Sequence, residues 1–225
     1  MDEAAACRLL ELLQRVEESV VNVSGIHGSA AMRQRHVIDS LACLPVARLR
    51  DGERCVDVGS GGGFPGLPLA IACPRVGFSL VEAAGRKAAF LRRAVEGLGL
   101  RNVEVVNERA EWLGRQPMWR EGADCVVARA VAGVRLVAEY CLPLCALGGR
   151  WIAFQGPRSG DELERAGSLI SALGGRVGEE LELRLPGGEG RRVVRVEKVR
   201  RTPRGFPRVG GRGTGPQGGP RGEGA

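Results

Sequence analysis

The sequence predicts an α/β fold built on a doubly wound, mostly parallel sheet, with helices before it and an antiparallel hairpin after it. Three observations lead to this prediction. From residue 54 onward, short Val-rich runs alternate with helical patterns, which is typical of parallel strands joined by right-handed crossovers. The first of these runs leads directly into a glycine-rich turn. After residue 174, two strand-like runs flank a Pro/Gly-rich turn, which indicates a hairpin.

Residues 1–50 are predicted to form a helical cap. Leucines recur at helical spacing over 2–20, and a second helix is expected over 29–44, after a polar loop. The polar face of this second helix carries Arg35, His36, Asp39 and Ser40. The spacing of four residues would let Arg35 pair with Asp39. A solvated polar helix face explains this cluster about as well as a functional site does.

The α/β region is predicted to span 51–200. Its five parallel strands are expected at 54–58, 77–82, 102–106, 123–128 and 149–154. Its helices are expected near 65–72, 85–98, 133–146 and 159–173, and the hairpin strands at 176–184 and 191–200. Because the glycine turn follows the first strand, a ligand should bind at the carboxyl ends of the strands, near the point where the strand order reverses.

The turn between the first strand and its helix has the composition of a ligand-binding loop. Its glycines, which include Gly59, Gly61 and Gly63, permit positive φ angles and let a ligand approach bare backbone. The pattern Gly61-x-Gly63-x-x-Gly66 also occurs in dinucleotide-binding proteins, but alone it is weak evidence. Asp57, two residues before Gly59, is more discriminating, because a carboxylate there would repel a pyrophosphate and attract an ammonium or sulfonium group. The turn therefore favours S-adenosylmethionine over a dinucleotide.

Further candidate site residues follow the next three strands. Glu82 ends the second strand, 23 residues after Gly59, where an acidic side chain can accept both ribose hydroxyls of an adenosyl ligand. The alternative for Glu82 is a surface position that caps the next helix. Ala110 and Glu111 follow the third strand, where the loop would pass the adenine ring. Arg129 ends the fourth strand, at the rim where a substrate would meet the cofactor.

Motifs that are missing after the fourth strand limit which atoms could accept the methyl group. That region contains neither N-P-P-Y nor D-P-P-Y, the usual holders of an exocyclic amino group, and no Pro-Cys pair that would supply a thiolate nucleophile. The N7 atom of guanine needs neither, because it carries a free lone pair. Catalysis would then consist mainly of aligning this lone pair with the methyl group, which is an effect of proximity.

Composition limits the class of protein. A chain of 225 residues suits one domain with an appendage. Seven cysteines without a C-x-x-C pair, no signal peptide and no long apolar run predict a cytoplasmic protein without membrane contact. With two histidines and no cysteine pair, no metal site is expected. We expect the protein to be a monomer.

Residues 201–225 form a separate compositional segment. They contain nine glycines, five arginines and one glutamate, so this tail carries +4 of the chain's net charge of +7. It has few apolar residues for a core and is predicted to be disordered. Arg/Gly tails often contact RNA without sequence preference, and a dispensable tail is an equal alternative.

Four motifs occur in unbroken order, namely Arg35-His36-x-x-Asp39-Ser40-Leu41, the run from Asp57 to Leu69, Arg86-Lys87-x-x-Phe90-Leu91 and Ala128-Arg129-Ala130. Together they closely resemble the bacterial 16S ribosomal RNA guanine-N7 methyltransferases, a family also called ribosomal small-subunit methyltransferase G or glucose-inhibited division protein B. The resemblance covers about residues 20–200. The glycine turn alone indicates only a methyltransferase, whereas its combination with the first motif is much more specific.

The resemblance implies a Rossmann-like fold of the S-adenosylmethionine-dependent methyltransferase type, with 51–200 as the methyltransferase domain. It implies methyl transfer to N7 of a guanine in 16S ribosomal RNA, either naked or within the small ribosomal subunit. Together with the motif analysis, it assigns cofactor contacts to Asp57, Gly59, Gly61, Phe64, Glu82, Ala83, Ala84, Ala110, Glu111 and Arg129. Arg129 and Arg35 would position the RNA. His36 and Asp39 would face the RNA or brace the pocket.

The sequence departs from the family pattern at two places. Gln155 stands where the family commonly has lysine, which would remove a phosphate contact or pass it to Arg158. The basic tail is not part of the family pattern. Two alternative functions stay open on the residues alone: an NAD-dependent oxidoreductase, based on the glycine pattern, and a non-enzymatic RNA-binding module.

Overall fold

A computed structural model of the chain describes residues 3–18, 34–129, 133–156, 162–185 and 188–208. In this part of the chain the strands are β1 (Arg54–Val58), β2 (Gly77–Val81), β3 (Val103–Val106), β4 (Ala123–Ala128), β5 (Cys145–Gln155), β6 (Gly175–Arg184) and β7 (Gly190–Lys198). They form one sheet in the order β3-β2-β1-β4-β5-β7-β6. Strands β1 to β5 are parallel, whereas β7 is antiparallel to both β5 and β6. The predicted parallel sheet with an antiparallel hairpin is confirmed.

The strand order reverses between β1 and β4, which are paired neighbours in the sheet. From β1 the chain winds outward to β2 and β3, and it then returns to β4 and β5 on the other side. In sheets of this kind a crevice opens beyond the carboxyl ends of the strands at such a reversal, and ligands bind there. The glycine turn after β1 therefore lies at the expected ligand position.

The described helices cover both faces of the sheet. They are α1 (Glu3–Glu17), α2 (Asp39–Leu41), α3 (Leu44–Ala47), α4 (Gly66–Ala72), α5 (Gly85–Gly97), α6 (Ala110–Leu113), α7 (Val134–Cys141) and α8 (Glu162–Ala172), with a π-helical turn at Gln34–Ile38 that runs into α2. Helices α1, α4 and α5 share one apolar cluster, whereas α7 and α8 contribute to another. Along β5, Trp151 and Ala153 join the cluster of α7 and α8, while Ile152 faces the opposite side. None of these helices combines the length and apolar character needed to span a bilayer.

The predicted helix over 29–44 differs from the structure. Residues 29–33 lie outside the described ranges, and the rest is divided among the π-helical turn, α2 and α3. Pro45 explains the interruption, because it has no N–H to donate to the Leu41 carbonyl and a continuous helix cannot pass through it. Helix α6 is an element that the sequence pattern does not predict. The boundary of the cap at residue 50 stays a prediction.

The C-terminal strap, residues 199–208, packs against the α/β region. Thr202 is buried, and Arg120 donates hydrogen bonds to the carbonyl oxygens of Thr202 and Phe206, both at 2.7 Å. The predicted disorder from residue 201 is therefore wrong for the strap. Its main-chain carbonyls are held by arginine side chains, so a shortage of apolar residues does not prevent packing. Residues 209–225, the rest of the predicted tail, lie outside the described ranges.

Replacing Arg120 with methionine should lower the free energy of unfolding by about 2 kcal/mol. The guanidinium donates to four main-chain carbonyls, those of Gly114 and three strap residues, and methionine supplies no donor in its place. Equilibrium urea unfolding measures the change. Arg204→Met, at an exposed strap position, is the matched control and should change the free energy by less than about 0.5 kcal/mol. Equal stability of the two variants would contradict the role given to Arg120.

Candidate functional site

The glycine loop, residues 59–65, connects β1 to α4 at the carboxyl edge of the sheet. Gly59, Gly61 and Gly63 adopt φ angles of 71°, 55° and 93°, a left-handed region that residues with a side chain rarely adopt. Gly66, at the start of α4, is required by close packing, because a Cβ there would lie 2.6 Å from Asp57 Oδ2. The path of the loop therefore depends on glycine at these positions.

Asp57 lies beneath the loop with its side chain fully buried. Its Oδ2 accepts a hydrogen bond from the Gly66 amide at 3.0 Å, whereas Oδ1 makes no hydrogen bond to the described part of the chain. Burial raises the pKa of this carboxyl group to about 7, although the Ser60 hydroxyl, the Gly66 amide and the Arg129 guanidinium oppose the shift. The side chain thus anchors the start of α4 and keeps one unpaired buried acceptor.

Glu82 bridges the glycine loop and the start of α5. It is buried just after β2, with Oε2 accepting from the Gly61 amide at 2.9 Å and Oε1 accepting from the Ala84 amide at 2.8 Å. A carboxylate has about four acceptor positions, so two stay available for other donors. Glu82 can therefore hold the backbone of the loop and bind a ligand with two hydroxyl groups at the same time.

Asn107 borders this site and is not among the residues identified from the sequence. Its side-chain amide, just after β3, donates to the carbonyls of Glu82 at 2.8 Å and Ala83 at 3.2 Å. These bonds fix the turn that carries Glu82 and Ala83 between β2 and α5. An asparagine directly after a strand at the carboxyl edge is the signal that could have identified it.

Ala110 and Glu111 are the first residues of α6 and lie just beyond the carboxyl end of β3. Ala110 is buried. The Glu111 side chain is only 14% exposed, and its Oε1 lies 3.7 Å from Arg109 Nη1. Glu111 is therefore largely enclosed, which a sequence alone does not reveal for a single acidic residue.

Arg129 connects the end of β4 to the N-terminal cap. Its Nη1 donates to Asp39 Oδ2 at 3.2 Å, and its Nη2 lies 2.9 Å from His36 Nδ1. The guanidinium carbon lies 5.5 Å from the centroid of the Phe64 ring, and Phe64 in turn stacks on His36 with ring centroids 4.4 Å apart. The structure thus brings four of the predicted site residues together and joins the glycine loop to the cap.

Asp39 also pairs with a second arginine. Its Oδ1 lies 2.7 Å from Arg191 Nε on β7, and the Asp39 side chain is buried. One carboxylate therefore serves two guanidinium groups, which leaves a net positive charge in this cluster. Arg191 is far from Asp39 in the sequence, and no local pattern could have identified the contact. The side chain of Arg35 lies outside the described part of the chain, so the predicted pair between Arg35 and Asp39 stays a prediction.

The two sides of the site carry opposite charge. Asp57 and Glu82 border the glycine loop, and the Glu82 charge contributes to the raised pKa of Asp57. Arg129 and Arg191 lie on the side of the cap. A ligand with a cationic group suits the first side, and an anionic polymer suits the second. Within the described ranges, no group of three or more His, Cys, Asp or Glu side chains is placed to hold a metal ion.

Asp57→Asn should change how stability depends on pH in the ligand-free protein. Because the folded-state pKa of Asp57 is about 7 and the ordinary value is about 3.9, the native state binds this proton more tightly than the unfolded state. The resulting stabilisation is complete below about pH 4 and is lost as the pH rises towards 7. We expect wild type to lose on the order of 2 kcal/mol relative to Asp57→Asn between pH 5 and pH 7, measured by urea unfolding. Parallel pH profiles would show that Asp57 is ionised throughout this range.

Comparison with known proteins identifies the family. The family model described as rRNA small subunit methyltransferase G matches residues 2–182. The Pelotomaculum thermopropionicum protein named Ribosomal RNA small subunit methyltransferase G is 45% identical over 189 residues, covering 84% of this chain and 79% of that protein. A protein of the same name from Roseiflexus sp. is 45% identical over 194 residues, covering 85% of this chain and 81% of that protein.

The solved structures show the same fold. The precorrin-6y C5,15-methyltransferase of Geobacter metallireducens matches with a TM-score of 0.54 at 17% identity, over 71% of this chain and 87% of that chain. At this level of identity the similarity concerns the fold alone, and it confirms the predicted Rossmann-like architecture. With the family match over most of its length, the chain belongs to the rRNA small subunit methyltransferase G family.

Proposed function

We propose that the protein transfers a methyl group from S-adenosylmethionine to N7 of a guanine in 16S ribosomal RNA. The observation that carries this proposal is the pair of buried carboxylates, Asp57 and Glu82, at the glycine loop. Their charges repel each other, and one oxygen of Asp57 is buried without a hydrogen bond to any described residue. A ligand with a positive charge and hydroxyl groups would reduce the repulsion between the carboxylates and supply hydrogen-bond donors, whereas a pyrophosphate would be repelled. Membership of the family supports the same reaction.

The residues around the loop fit S-adenosylmethionine. When bound, this cofactor supplies an electrophilic methyl group on a positively charged sulfur. The two remaining acceptor positions of Glu82 suit the ribose hydroxyls, and Asp57 suits the cationic methionine end. Because a nearby cation favours ionised Asp57, binding near pH 7 should release a proton. Ala110 and Glu111 lie beyond β3, and they are proposed to border the adenine.

The arginine-containing side of the site, next to the N-terminal cap, has the charge that RNA binding requires. Arg129 and Arg191 share Asp39, so this rim keeps a positive charge that attracts a phosphate backbone. The N7 lone pair of guanine can attack a methyl group directly, and no proton has to leave that nitrogen. The protein therefore needs no general base for the reaction. Its contribution is to hold the guanine so that N7 is aligned with the methyl group of the cofactor.

The substrate is proposed to be 16S ribosomal RNA, either naked or within the small ribosomal subunit. Such a substrate would place the activity in the cytoplasm. The protein is proposed to act as a monomer.

Transfer of a labelled methyl group to ribosomal RNA tests the proposal. Small subunits from a strain that lacks the enzyme are incubated with the protein and labelled S-adenosylmethionine, and the RNA is then digested to nucleosides. We expect the label in 7-methylguanosine, mapped to one guanine. Label in a different nucleoside would contradict the N7 assignment. No label, with RNA affinity that is unchanged in Glu82→Gln, would favour the non-enzymatic RNA-binding alternative.

A further inference from the structure

Arg191, near the start of β7, contacts the N-terminal cap across the end of β5. A Cβ on Gly156 would lie 3.4 Å from Arg191 Nη1, so the guanidinium passes close to the residue that follows β5. Its Nε lies 2.7 Å from Asp39 Oδ1, and the two side chains are only 16% and 5% exposed. Neither atom makes a hydrogen bond within the described part of the chain, so the attraction is that of an enclosed ion pair. This pair joins the hairpin to the cap.

Arg129 binds the other oxygen of the same carboxylate. Its Nη1 donates to Asp39 Oδ2 at 3.2 Å, and its Nη2 lies 2.9 Å from His36 Nδ1. An isolated arginine–carboxylate pair favours a forked arrangement, in which two nitrogens face two oxygens. Arg191 at Oδ1 prevents this arrangement, because two guanidinium groups at one oxygen would repel each other. The second nitrogen of Arg129 is therefore directed to His36.

The two guanidinium groups lie close enough to affect each other. Burial lowers the pKa of the Arg129 guanidinium, the charges of Asp39 and Asp57 oppose this shift, and the charge of Arg191 adds to it. Loss of the Arg191 charge would remove this repulsion and free Asp39 Oδ1, so that Arg129 would turn both nitrogens towards the carboxylate. Its guanidinium would then move away from the Phe64 ring, whose centroid lies 5.5 Å from the guanidinium carbon.

We propose that Arg191 is a positioning residue for methyl transfer. By occupying Oδ1 of Asp39, it holds the Arg129 guanidinium against His36 and the Phe64 ring, between the glycine loop and the cap. This role differs from the charge that Arg191 adds to the rim, because it acts on the rate after RNA and cofactor have bound. It rests on the proposed function, since it takes methyl transfer as the reaction and Arg129 as the residue that positions the RNA.

Single-turnover methyl transfer at saturating RNA and S-adenosylmethionine tests the proposal. Arg191→Met should reduce the rate about tenfold, because a small displacement of Arg129 misaligns the reacting groups. Its affinity for S-adenosylmethionine, measured by calorimetry, should stay within about twofold of wild type, which also shows that the site is folded. Arg191→Lys should keep at least about a third of the wild-type rate, because an ammonium group can also pair with one carboxylate oxygen.

Arg192→Met is the matched control. Arg192 follows Arg191 on β7, its side chain leaves the other face of the sheet, and it forms an ion pair with Glu180 at 2.6 Å. Its rate of methyl transfer should equal that of wild type. In an Arg129→Lys background, Arg191→Met should lower the rate by less than about twofold, because the residue that it positions is already changed.

Two results would overturn the positioning role. If Arg191→Met transfers the methyl group as fast as Arg192→Met at saturating RNA, the role is wrong, and a raised Kd for RNA would then make Arg191 an RNA contact. A full tenfold loss in the Arg129→Lys background would show that Arg191 acts through another residue. In both cases 7-methylguanosine formed by wild type would still support the proposed function. If wild type forms no methylated nucleoside, the proposed function and the positioning role both fail.

Discussion

Glu82→Gln is expected to weaken S-adenosylmethionine binding by between about 10-fold and 100-fold. Glutamine keeps the length of the side chain, but its NH₂ group must then face either the Gly61 amide or the Ala84 amide. Both amides donate to the wild-type carboxylate, so one hydrogen bond of the loop is replaced by a repulsive contact. The variant also lacks the negative charge that attracts the sulfonium. Isothermal titration calorimetry with S-adenosylmethionine measures the loss.

Glu96→Gln provides the control for this variant, because Glu96 is an exposed carboxylate on α5, the helix that Glu82 precedes. Its affinity should stay within about twofold of wild type. Thermal unfolding of both variants separates weaker binding from a general loss of stability. Normal affinity in Glu82→Gln would show that the ribose contact is assigned to the wrong residue.

Arg129→Lys is expected to reduce the rate of methyl transfer by more than about 100-fold. Lysine retains the charge but lacks the planar group that reaches Asp39 and His36 together. It also loses much of the contact with the Phe64 ring, which lies in the glycine loop. The cap and the loop would then no longer be fixed to each other, and a displacement of about 1 Å between reacting groups is enough for a loss of this size. Single-turnover kinetics at saturating RNA and cofactor measure the rate.

A double-mutant cycle with Asp39→Asn shows whether the ion pair carries this effect. The two substitutions should be coupled in the free energy of unfolding by about 1–3 kcal/mol, because each disrupts the same buried contact between residues 129 and 39. Arg101→Lys, far from the site, should show no coupling with Asp39→Asn. Additive effects of Arg129→Lys and Asp39→Asn would mean that Arg129 acts through a different partner.

Most of the sheet could be predicted because its signals are local. Strands β1 and β4 have the predicted bounds, 54–58 and 123–128, and each is a short apolar run between charged or glycine residues. Strand β5 begins at Cys145, before the predicted 149, because Cys145 pairs with Ala123 across an irregularity in the ladder. The glycines at 148 and 149 indicate a turn in the sequence, so this extension of the strand is not predicted.

The side of the candidate site that carries the glycine loop could also be predicted, because strand ends and turns are visible in the sequence. Asp57 and Glu82 each lie at the carboxyl end of a predicted strand, so the parallel sheet brings them to one edge without further information. The structure adds that both are buried and that Glu82 holds Gly61. Burial of a carboxylate depends on tertiary packing, and the pattern around a single acidic residue does not reveal it.

The contacts made by arginine side chains could not be predicted. Arg191 reaches Asp39 from the hairpin, and Arg120 holds the carbonyls of the strap, in each case across a long stretch of chain. Arginine has no periodic signature of burial, since its long side chain can reach a partner from many backbone positions. For the same reason the composition of 201–208 predicts disorder, although Arg115 and Arg120 hold the carbonyls of that segment and the carboxylates of Glu121 and Glu139 accept from its amides.

We propose that two buried carboxylates make the glycine loop a site for a cationic methyl donor and not for a dinucleotide. Calorimetric titration of wild-type protein with S-adenosylmethionine and, separately, with NAD tests it most directly. We expect saturable one-to-one binding of S-adenosylmethionine, accompanied by proton release near pH 7, and no binding of NAD at the same concentrations. Saturable binding of NAD, with no heat from S-adenosylmethionine, would contradict it.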